Sequence, residues 1–294
     1  MWVCEVAARI PWEVFSRANS RGISPYERLV SAAEADEPLT MKSSADALPG
    51  LPSRSDGEGR RSDHTLEFVR QFLPAGPATL VEVGAGAGEL SASLTNLGYS
   101  VVPVDSDPDA VSIMRSRGLN AVLASWPAYE SSPVDAVIFS RSLHHLSIDA
   151  AVTHARSILV PAGRIIVEDF AFADVPAMAL SWLRALLVRL GERGVWKAPS
   201  EGFLANVLAG ADPCAPNAED QHEIASAEAM RECLAAQGRL IHESRVAYFY
   251  RYLVPGLSDT PSGHEILDQT LREETGAIAT GALWPLGRRW VLRT

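Results

Sequence analysis

Apolar residues in this chain follow two periods, one typical of β-strands and one typical of α-helices. Between about residues 64 and 170, short apolar runs alternate with segments whose apolar positions recur every three or four residues. The runs predict strands near 79–83, 100–104, 120–124, 134–140 and 164–168, and the segments between and before them predict helices at about 64–72, 88–97, 108–117 and 147–159. Such alternation is typical of an α/β protein, in which helices cover both faces of a parallel sheet.

The pattern is less regular before the first strand. Ser24, followed by a proline and then by Glu27, is a helix-start signal, and residues 1–41 are interpreted as an N-terminal helical extension. Residues 42–62 are rich in Ser, Pro, Gly, Asp and Arg and lack periodicity, which indicates a flexible linker. The main domain is therefore predicted to span residues 63–294.

The last third of the chain is expected to complete the sheet. Residues 171–242 are predicted to be mostly helical and to form an insertion after the fifth strand, where they would serve as a lid and a substrate wall. The last two strands are predicted at Val246–Leu253 and Arg289–Arg293, with a helix near 262–274 between them. Because proline cannot donate to a strand ladder, the second strand is expected to end near Pro103.

Three glycines at alternate positions are the most informative feature of the sequence. Gly84, Gly86 and Gly88 follow the first predicted strand and precede a helix whose apolar positions begin at Leu90. A strand, a turn without β-carbons and a helix N-terminus let backbone N–H groups approach a nucleotide-like ligand. Asp105 ends the second apolar run, where such folds place a carboxylate that binds the hydroxyls of a ribose.

The spacing of the glycines bears on the kind of ligand. The dinucleotide-binding pattern G-x-G-x-x-G requires a third glycine where this chain has Glu89 or Ser91, depending on the register. The pattern that fits is acidic-x-G-x-G-x-G, which runs from Glu82 to Gly88. This stretch resembles motif I of the class I methyltransferases that use S-adenosylmethionine.

Three further segments carry the same resemblance in the expected order. Residues 101–108 resemble the second motif of that superfamily, residues 134–146 resemble its fourth strand with the LHHL sequel, and residues 158–167 resemble the turn before its fifth strand. The resemblance covers roughly residues 64–170, and residues 281–290 resemble less specifically the hairpin entry to the last strand. It implies a Rossmann-like seven-stranded methyltransferase sheet, mostly parallel with an antiparallel end, and a helical lid insertion.

The resemblance also implies a site for S-adenosylmethionine. Asp105 stands in the ribose-binding place, Ser125 stands where an acid often contacts the adenine, and Trp126 either stacks on the base or covers the core. The residues expected to bind the cofactor are Glu82, Gly84, Ala85, Gly86, Gly88, Asp105, Ser106, Ser125, Trp126, Ser140 and Arg141.

Candidate general bases follow the fourth and fifth strands on the ligand side. His144 and His145 are favoured because histidine titrates near neutrality, and since adjacent residues diverge, only one is expected to face the cavity. The alternative is a histidine that caps a helix or is bonded within the core. Glu168 and Asp169, at the end of the fifth strand, are the next candidates, either as bases or as readers of substrate polarity. Other residues that either line the acceptor pocket or pack in the core are His222, Tyr248, Tyr250 and Tyr252.

Composition excludes several classes of function. The net charge of −10 argues against a nucleic-acid substrate, since phosphate binding requires a basic face. The three cysteines have no metal or redox spacing, His144-His145 is not a chelating spacing, and no metal is expected. The apolar run Val175–Leu190 contains arginines and is too short to span a bilayer. We therefore expect a cytoplasmic enzyme without stable membrane insertion.

These features favour an S-adenosylmethionine-dependent methyltransferase that acts on a small molecule. Oxygen is the favoured acceptor atom, and nitrogen and carbon stay open, as do the acceptor and the oligomeric state. Two alternatives are kept: a catalytically silent subunit with the methyltransferase fold, and a nicotinamide-dependent oxidoreductase, which Glu89 disfavours.

Overall fold

The computed structural model describes residues 63–294 except 75, 172–174, 201, 212–224 and 259. The predicted N-terminal extension (residues 1–41) and linker (residues 42–62) lie outside the described residues. The described helices are α1 (Asp63–Phe72), α2 (Glu89–Asn96), α3 (Pro108–Ser116), α4 (Ile148–Ser157), α5 (Ala177–Glu192), α6 (Phe203–Ala209), α7 (Ala227–Gln237) and α8 (Pro261–Ala279). The described strands are β1 (Thr79–Val83), β2 (Ser100–Asp105), β3 (Val122–Leu123), β4 (Val134–Ser140), β5 (Leu159–Phe170), β6 (Arg239–Val246) and β7 (Gly287–Arg293).

The strands form one seven-stranded sheet in the order β3-β2-β1-β4-β5-β7-β6. All neighbouring pairs from β3 to β5 are parallel, and β7 runs antiparallel to both β5 and β6. The prediction of a Rossmann-like, mostly parallel sheet with an antiparallel last strand is therefore confirmed. Strand order reverses between β1 and β4, and in sheets of this kind the ligand crevice lies at that point, beyond the carboxyl ends of the strands.

The central strands are apolar on both faces because helices cover both sides of the sheet. Leu80 and Ile138 pack with residues of α1 and α2 on one face. Val81 and Val137 face the other side, where the core contains residues of α4, α5 and α7. Two packed layers hold the strand ends rigidly, so the loops that follow β1, β2 and β4 are fixed in relation to one another.

Gly88 fixes the start of α2. Its φ of +80° is a left-handed conformation that glycine adopts at little cost. A β-carbon there would lie 2.7 Å from side-chain atoms of Met114 on α3 and of Leu119. The third glycine of the turn is therefore required by the close approach of α3 as well as by the backbone.

Two details of the predicted sheet are wrong. Strand β2 continues through Pro103 to Asp105, and Pro103 lies beside Glu82 of β1. The stretch predicted as a strand at 246–253 is mostly a 3₁₀ helix, Phe249–Gly256, and the strand before it is β6.

Glu274 of α8 caps the start of the 3₁₀ helix. Its carboxylate accepts hydrogen bonds from the backbone N–H groups of Tyr248, Phe249 and Tyr250, at 2.5, 2.9 and 3.0 Å. The first N–H groups of a helix have no partner within the helix, and this carboxylate satisfies them. Helices α5, α6 and α7 occupy the described part of the predicted insertion, which ends where β6 begins at Arg239.

None of the helices in the described ranges combines the length and the apolar character that crossing a membrane requires.

Candidate cofactor cavity and active site

The glycine turn connects the carboxyl ends of three strands. The Gly84 N–H donates to the carbonyl of Val104 on β2 at 2.8 Å. Gly84 has a φ of +65°, and a β-carbon there would lie 2.6 Å from Cβ of Ser142, which follows β4. Only glycine lets β1 pass this close to the loop after β4, so the turn depends on Gly84.

A cavity of about 340 Å³ opens beside this turn. Six of the predicted site residues line it, namely Gly84, Asp105, Ser106, Trp126, Arg141 and His145. Sequence reasoning missed Val83, Val104, Ala124, Ser142 and Leu146, which also line it. The remaining predicted residues lie outside its lining: Glu82, Ala85, Gly86, Gly88, Ser125, Ser140, His144 and Asp169.

Asp105 occupies the end of β2 at the edge of the cavity. Its Oδ2 accepts a hydrogen bond from the Gly86 N–H at 2.8 Å, and its Oδ1 accepts one from the Asp107 N–H at 3.0 Å. A carboxylate oxygen has two lone-pair sites, so each oxygen retains capacity for a further donor. The backbone thus orients an acceptor group toward the cavity.

Glu82 supports the turn from beneath. It is buried, and the Ser91 hydroxyl of α2 donates to its Oε2 at 2.5 Å. Burial raises the pKa of Glu82 to about 7, although the Ser91 hydrogen bond and the charge of Arg141 act to lower it. Glu82 therefore links β1 to α2 and holds the turn in place without lining the cavity.

Trp126 belongs to both the core and the cavity wall. Its Nε1 donates to the carbonyl of Ala151 at 3.1 Å, and its ring packs against His154 and Phe139, with centroids 4.5 and 5.9 Å away. Ser125 is exposed and lies outside the cavity lining. The apolar wall on this side of the cavity therefore comes from Trp126.

Arg141 has an unusual backbone conformation at the end of β4. Its φ is +62°, which is uncommon for a residue with a long side chain. Two hydrogen bonds hold this conformation: the Arg141 N–H donates to the carbonyl of Glu168 at 2.7 Å, and the Ser142 hydroxyl donates to the carbonyl of Val83 at 2.6 Å. The strained backbone places an exposed guanidinium at the cavity.

The two adjacent histidines differ in exposure although their rings are in contact. His145 is exposed and lines the cavity, whereas His144 is buried. Nδ1 of His144 lies 2.6 Å from Oδ1 of Asp169, and the His144 N–H donates to Oδ2 of the same carboxylate at 3.3 Å. The two rings are 4.0 Å apart between centroids, so the buried pair lies directly behind the exposed imidazole.

Glu168 is not available as a base. Arg251 and Arg289 each donate to its carboxylate, at 2.5 and 2.7 Å, and the Thr65 hydroxyl donates at 2.7 Å. Although burial acts to raise it, the pKa of Glu168 is held below its usual range by the two arginines. The alternative assignment of Glu168 as a base is therefore wrong, and Glu168 ties α1 to β5, β7 and the 3₁₀ helix.

Aromatic rings surround the buried histidine. The ring of Phe170 packs edge-on against His144 at 5.0 Å and stacks on Tyr248 at 4.5 Å, and Tyr252 stacks on Phe203 of α6 at 4.8 Å. Burial raises the pKa of the Tyr248 hydroxyl. The tyrosines thus pack mainly with other rings, and His222 lies outside the described residues.

Across the described ranges, no group of three or more His, Cys, Asp or Glu side chains is placed to hold a metal ion.

Comparison with known proteins agrees with this architecture. Residues 81–167 match a family model described as a methyltransferase domain. An uncharacterized methyltransferase of Mycobacterium tuberculosis is 29% identical over 112 residues, which cover 37% of this chain and 46% of that protein. A ubiquinone biosynthesis O-methyltransferase of Xylella fastidiosa is 28% identical over 113 residues, which cover 35% and 46% of the two chains. The chain thus spans about half the length of the curated relatives it matches.

One solved structure illustrates the shared fold. A mycolic acid cyclopropane synthase, complexed with SAH and CTAB, superposes with a TM-score of 0.51 over 79% of this chain and 84% of that chain, at 15% sequence identity. The sheet described above therefore has the same fold as that enzyme. Together with the family match, it confirms the resemblance to class I methyltransferases that the motifs indicated.

Proposed function

We propose that this chain binds S-adenosylmethionine in the cavity beside the glycine turn and transfers its methyl group to a small-molecule acceptor. The observation that carries the proposal is the position of Asp105. Backbone N–H groups orient its carboxylate at the edge of the cavity, and the cavity lies where the strand order reverses. The SAH named in the cyclopropane synthase complex supports this choice of ligand for the shared fold.

The cavity offers a suitable partner for each part of the cofactor. Asp105 would accept hydrogen bonds from the ribose hydroxyls, and Trp126 with Leu146 would provide an apolar surface for the purine. The Arg141 guanidinium would pair with the carboxylate of the methionine portion, because charge-assisted hydrogen bonds to carboxylates are strong. Glu82 and the glycines outside the cavity lining would act by holding the turn.

The cofactor supplies an activated sulfonium methyl group. The contribution of the chain is then to hold an acceptor in line with the methyl carbon, and positioning of this kind can lower a barrier by about 7–11 kcal/mol. Phe170, at the carboxyl end of β5, and the rings packed on it would exclude water from the acceptor.

Oxygen is the proposed acceptor atom, with His145 as the general base. His145 is the histidine that lines the cavity, and a positioned base contributes on the order of 10²–10⁴-fold when an acceptor hydroxyl arrives protonated. His144 and Asp169 are positioning residues, since their hydrogen bond fixes the ring on which His145 packs. The O-methyltransferase among the relatives supports this choice.

Calorimetric titration of S-adenosylhomocysteine into the full chain tests the proposal. The wild type should bind with low-micromolar affinity, and Asp105→Ala should weaken binding at least about tenfold, or about 1.4 kcal/mol. Asp109→Asn, an exposed charge change in the first turn of α3, is the matched control and should bind like the wild type. Absence of binding to folded wild type, or tighter binding of NADH, would contradict the proposal.

A second measurement separates an enzyme from a silent subunit. Release of S-adenosylhomocysteine from S-adenosylmethionine should rise above the background rate with some member of a panel of phenols, carboxylates and amines. Binding of the cofactor without turnover on any of them would favour the silent subunit.

A further inference from the structure

A second cavity, of about 290 Å³, lies at the β7 side of the sheet. It opens between the start of α1, the end of β6, the start of β7 and α8, and it shares no lining residue with the cofactor cavity. Its lining includes His64, Arg245, Tyr250, Leu271, Ile278 and Arg289. Nothing in the proposed methyl transfer uses these residues.

Arg289 is held in place and retains unused donors. Its Nε donates to Glu168 at 2.7 Å and its Nη2 donates to the carbonyl of His64 at 2.9 Å, while the guanidinium lies 4.8 Å from the Phe68 ring centroid. Among the described residues, no hydrogen bond occupies its Nη1. A rigid guanidinium with a free edge is suited to bind a carboxylate or a phosphate.

Arg245 adds a second cation to the same cavity. In the part of the chain that the structure describes, its guanidinium lies over the Trp284 ring, 4.9 Å from the centroid. The chain carries a net charge of −10, so an arginine lining a cavity without a carboxylate partner is notable. Stacking on Trp284 orients the group while leaving its hydrogen-bond donors available.

The carboxylates near this cavity are engaged with groups other than Arg245. Glu168 is shared between Arg251 and Arg289, and Glu274 is bonded to three backbone N–H groups. Glu67 lies 3.8 Å from His64, and both of these side chains are exposed. Arg245 is therefore the cation of this cavity for which the described residues supply no carboxylate partner, while Arg289 shares Glu168 with Arg251.

The other part of the lining is apolar. Leu271 and Ile278 of α8 are half-buried and face the cavity together with the ring of Tyr250. We propose that this cavity binds a small organic anion, a carboxylate or phosphate ester with an apolar or aromatic body, at a site separate from the cofactor cavity. The anionic group binds Arg245 and Arg289, and the apolar body lies on the α8 side.

Calorimetric titration of phenyl phosphate into the full chain tests this site. The wild type should show saturable binding that is unchanged when S-adenosylhomocysteine is present at saturation. Arg245→Gln should weaken binding about tenfold, as loss of a charge-assisted hydrogen bond predicts. Arg239→Gln is the matched control, an exposed arginine at the other end of β6, and should leave the affinity within about twofold of wild type.

Ile278→Ala tests the apolar part of the site independently. It should weaken phenyl phosphate binding several-fold and leave the weaker binding of inorganic phosphate unchanged. The proposal is overturned if folded wild type shows no saturable binding, if Arg239→Gln has the same effect as Arg245→Gln, if phosphate alone binds as tightly, or if S-adenosylhomocysteine displaces the probe. S-adenosylhomocysteine affinity should be the same in Arg245→Gln and wild type, so failure here is distinguishable from failure of the proposed function.

Discussion

The carboxylate of Asp105 accepts a hydrogen bond from the Gly86 N–H at 2.8 Å, across 19 positions of sequence. The residue proposed to bind the ribose therefore also holds the glycine turn in place. Such preorganisation reduces the conformational entropy that the turn loses when a ligand binds.

Hydrogen exchange of the turn measures this coupling without any ligand. In Asp105→Ala, the Gly86 N–H loses its acceptor, and the peptide that contains residues 84–88 should exchange faster than in wild type. Ser106→Ala is the control, because Ser106 lines the same cavity but is not the acceptor for Gly86. Equal exchange in Asp105→Ala and wild type would contradict the assigned role.

Gly84→Ala tests the close approach of β1 to the loop after β4. The new β-carbon would lie 2.6 Å from Cβ of Ser142, so the loop must move and S-adenosylhomocysteine affinity should fall about tenfold or more. Gly98→Ala is the control: its φ of +92° imposes a similar backbone penalty of about 1–2 kcal/mol, but nothing lies within 4 Å of its β-carbon. The double variant Gly84→Ala/Ser142→Gly should recover part of the lost affinity, and no recovery would refute the steric explanation.

Asp169→Asn tests the positioning of the active-site histidines. The asparagine keeps the size of the side chain but removes the charge that holds Nδ1 of His144, so turnover should fall on the order of 10²-fold. Affinity for S-adenosylhomocysteine should not change, because Asp169 lies outside the cofactor cavity. The assay is release of S-adenosylhomocysteine with an identified acceptor. A parallel loss of cofactor affinity would mean that the pair supports the cavity itself.

The raised pKa of Glu82 predicts a pH dependence of stability. Burial raises this pKa from an ordinary 4.5 to about 7, so the folded state binds a proton that the unfolded state releases as the pH rises between these values. The contribution of Glu82 to the free energy of unfolding is thus fully present below about pH 4.5 and is lost as the pH rises from there through about 7. The loss amounts to roughly 3 kcal/mol.

Glu82→Gln removes this titration and serves as its test. Urea unfolding at pH 5 and pH 8 should show that the stability of wild type relative to Glu82→Gln decreases at the higher pH. Glu130→Gln, an exposed glutamate whose charge does not contribute to the pKa of Glu82, should show no such change. A constant difference between wild type and Glu82→Gln at both pH values would contradict the assigned protonation.

Glu168→Gln should destabilise the fold by about 3–5 kcal/mol, because it leaves Arg251 and Arg289 without their buried counter-charge. The free energy of unfolding from urea titration measures this loss. Glu243→Gln breaks the exposed pair with Arg231 and should change stability by less than about 1 kcal/mol. Since the pKa of Glu168 is lowered, its contribution is present above about pH 4.5 and is lost in acid. Equal losses of unfolding free energy in Glu168→Gln and Glu243→Gln would contradict this account.

The local sequence pattern was sufficient to predict the central strands. Strands β1 and β4 have the predicted bounds, because each is a continuous apolar run between clear turn signals. The positions of the glycine turn and of Asp105 are also predictable from the local pattern, because each directly follows or ends an apolar run and so lies at the end of a strand.

Contacts between distant residues were not predictable in this way. The alternating tyrosines after β6 suggested a strand, but Glu274 captures the backbone donors from 24 to 26 residues away. The pairing of His144 with Asp169 and the capture of Glu168 by two arginines likewise depend on which strands become neighbours. Ser142 gave no chemical signal, and its role follows only from the approach of Gly84.

A crystal structure of the full chain grown with S-adenosylhomocysteine tests the central claim most directly. The account predicts ligand density in the cavity beside Gly84, with the ribose hydroxyls bonded to Asp105, the purine beside Trp126 and the amino-acid carboxylate near Arg141. Density elsewhere in the molecule, or a ribose turned away from Asp105, would contradict it.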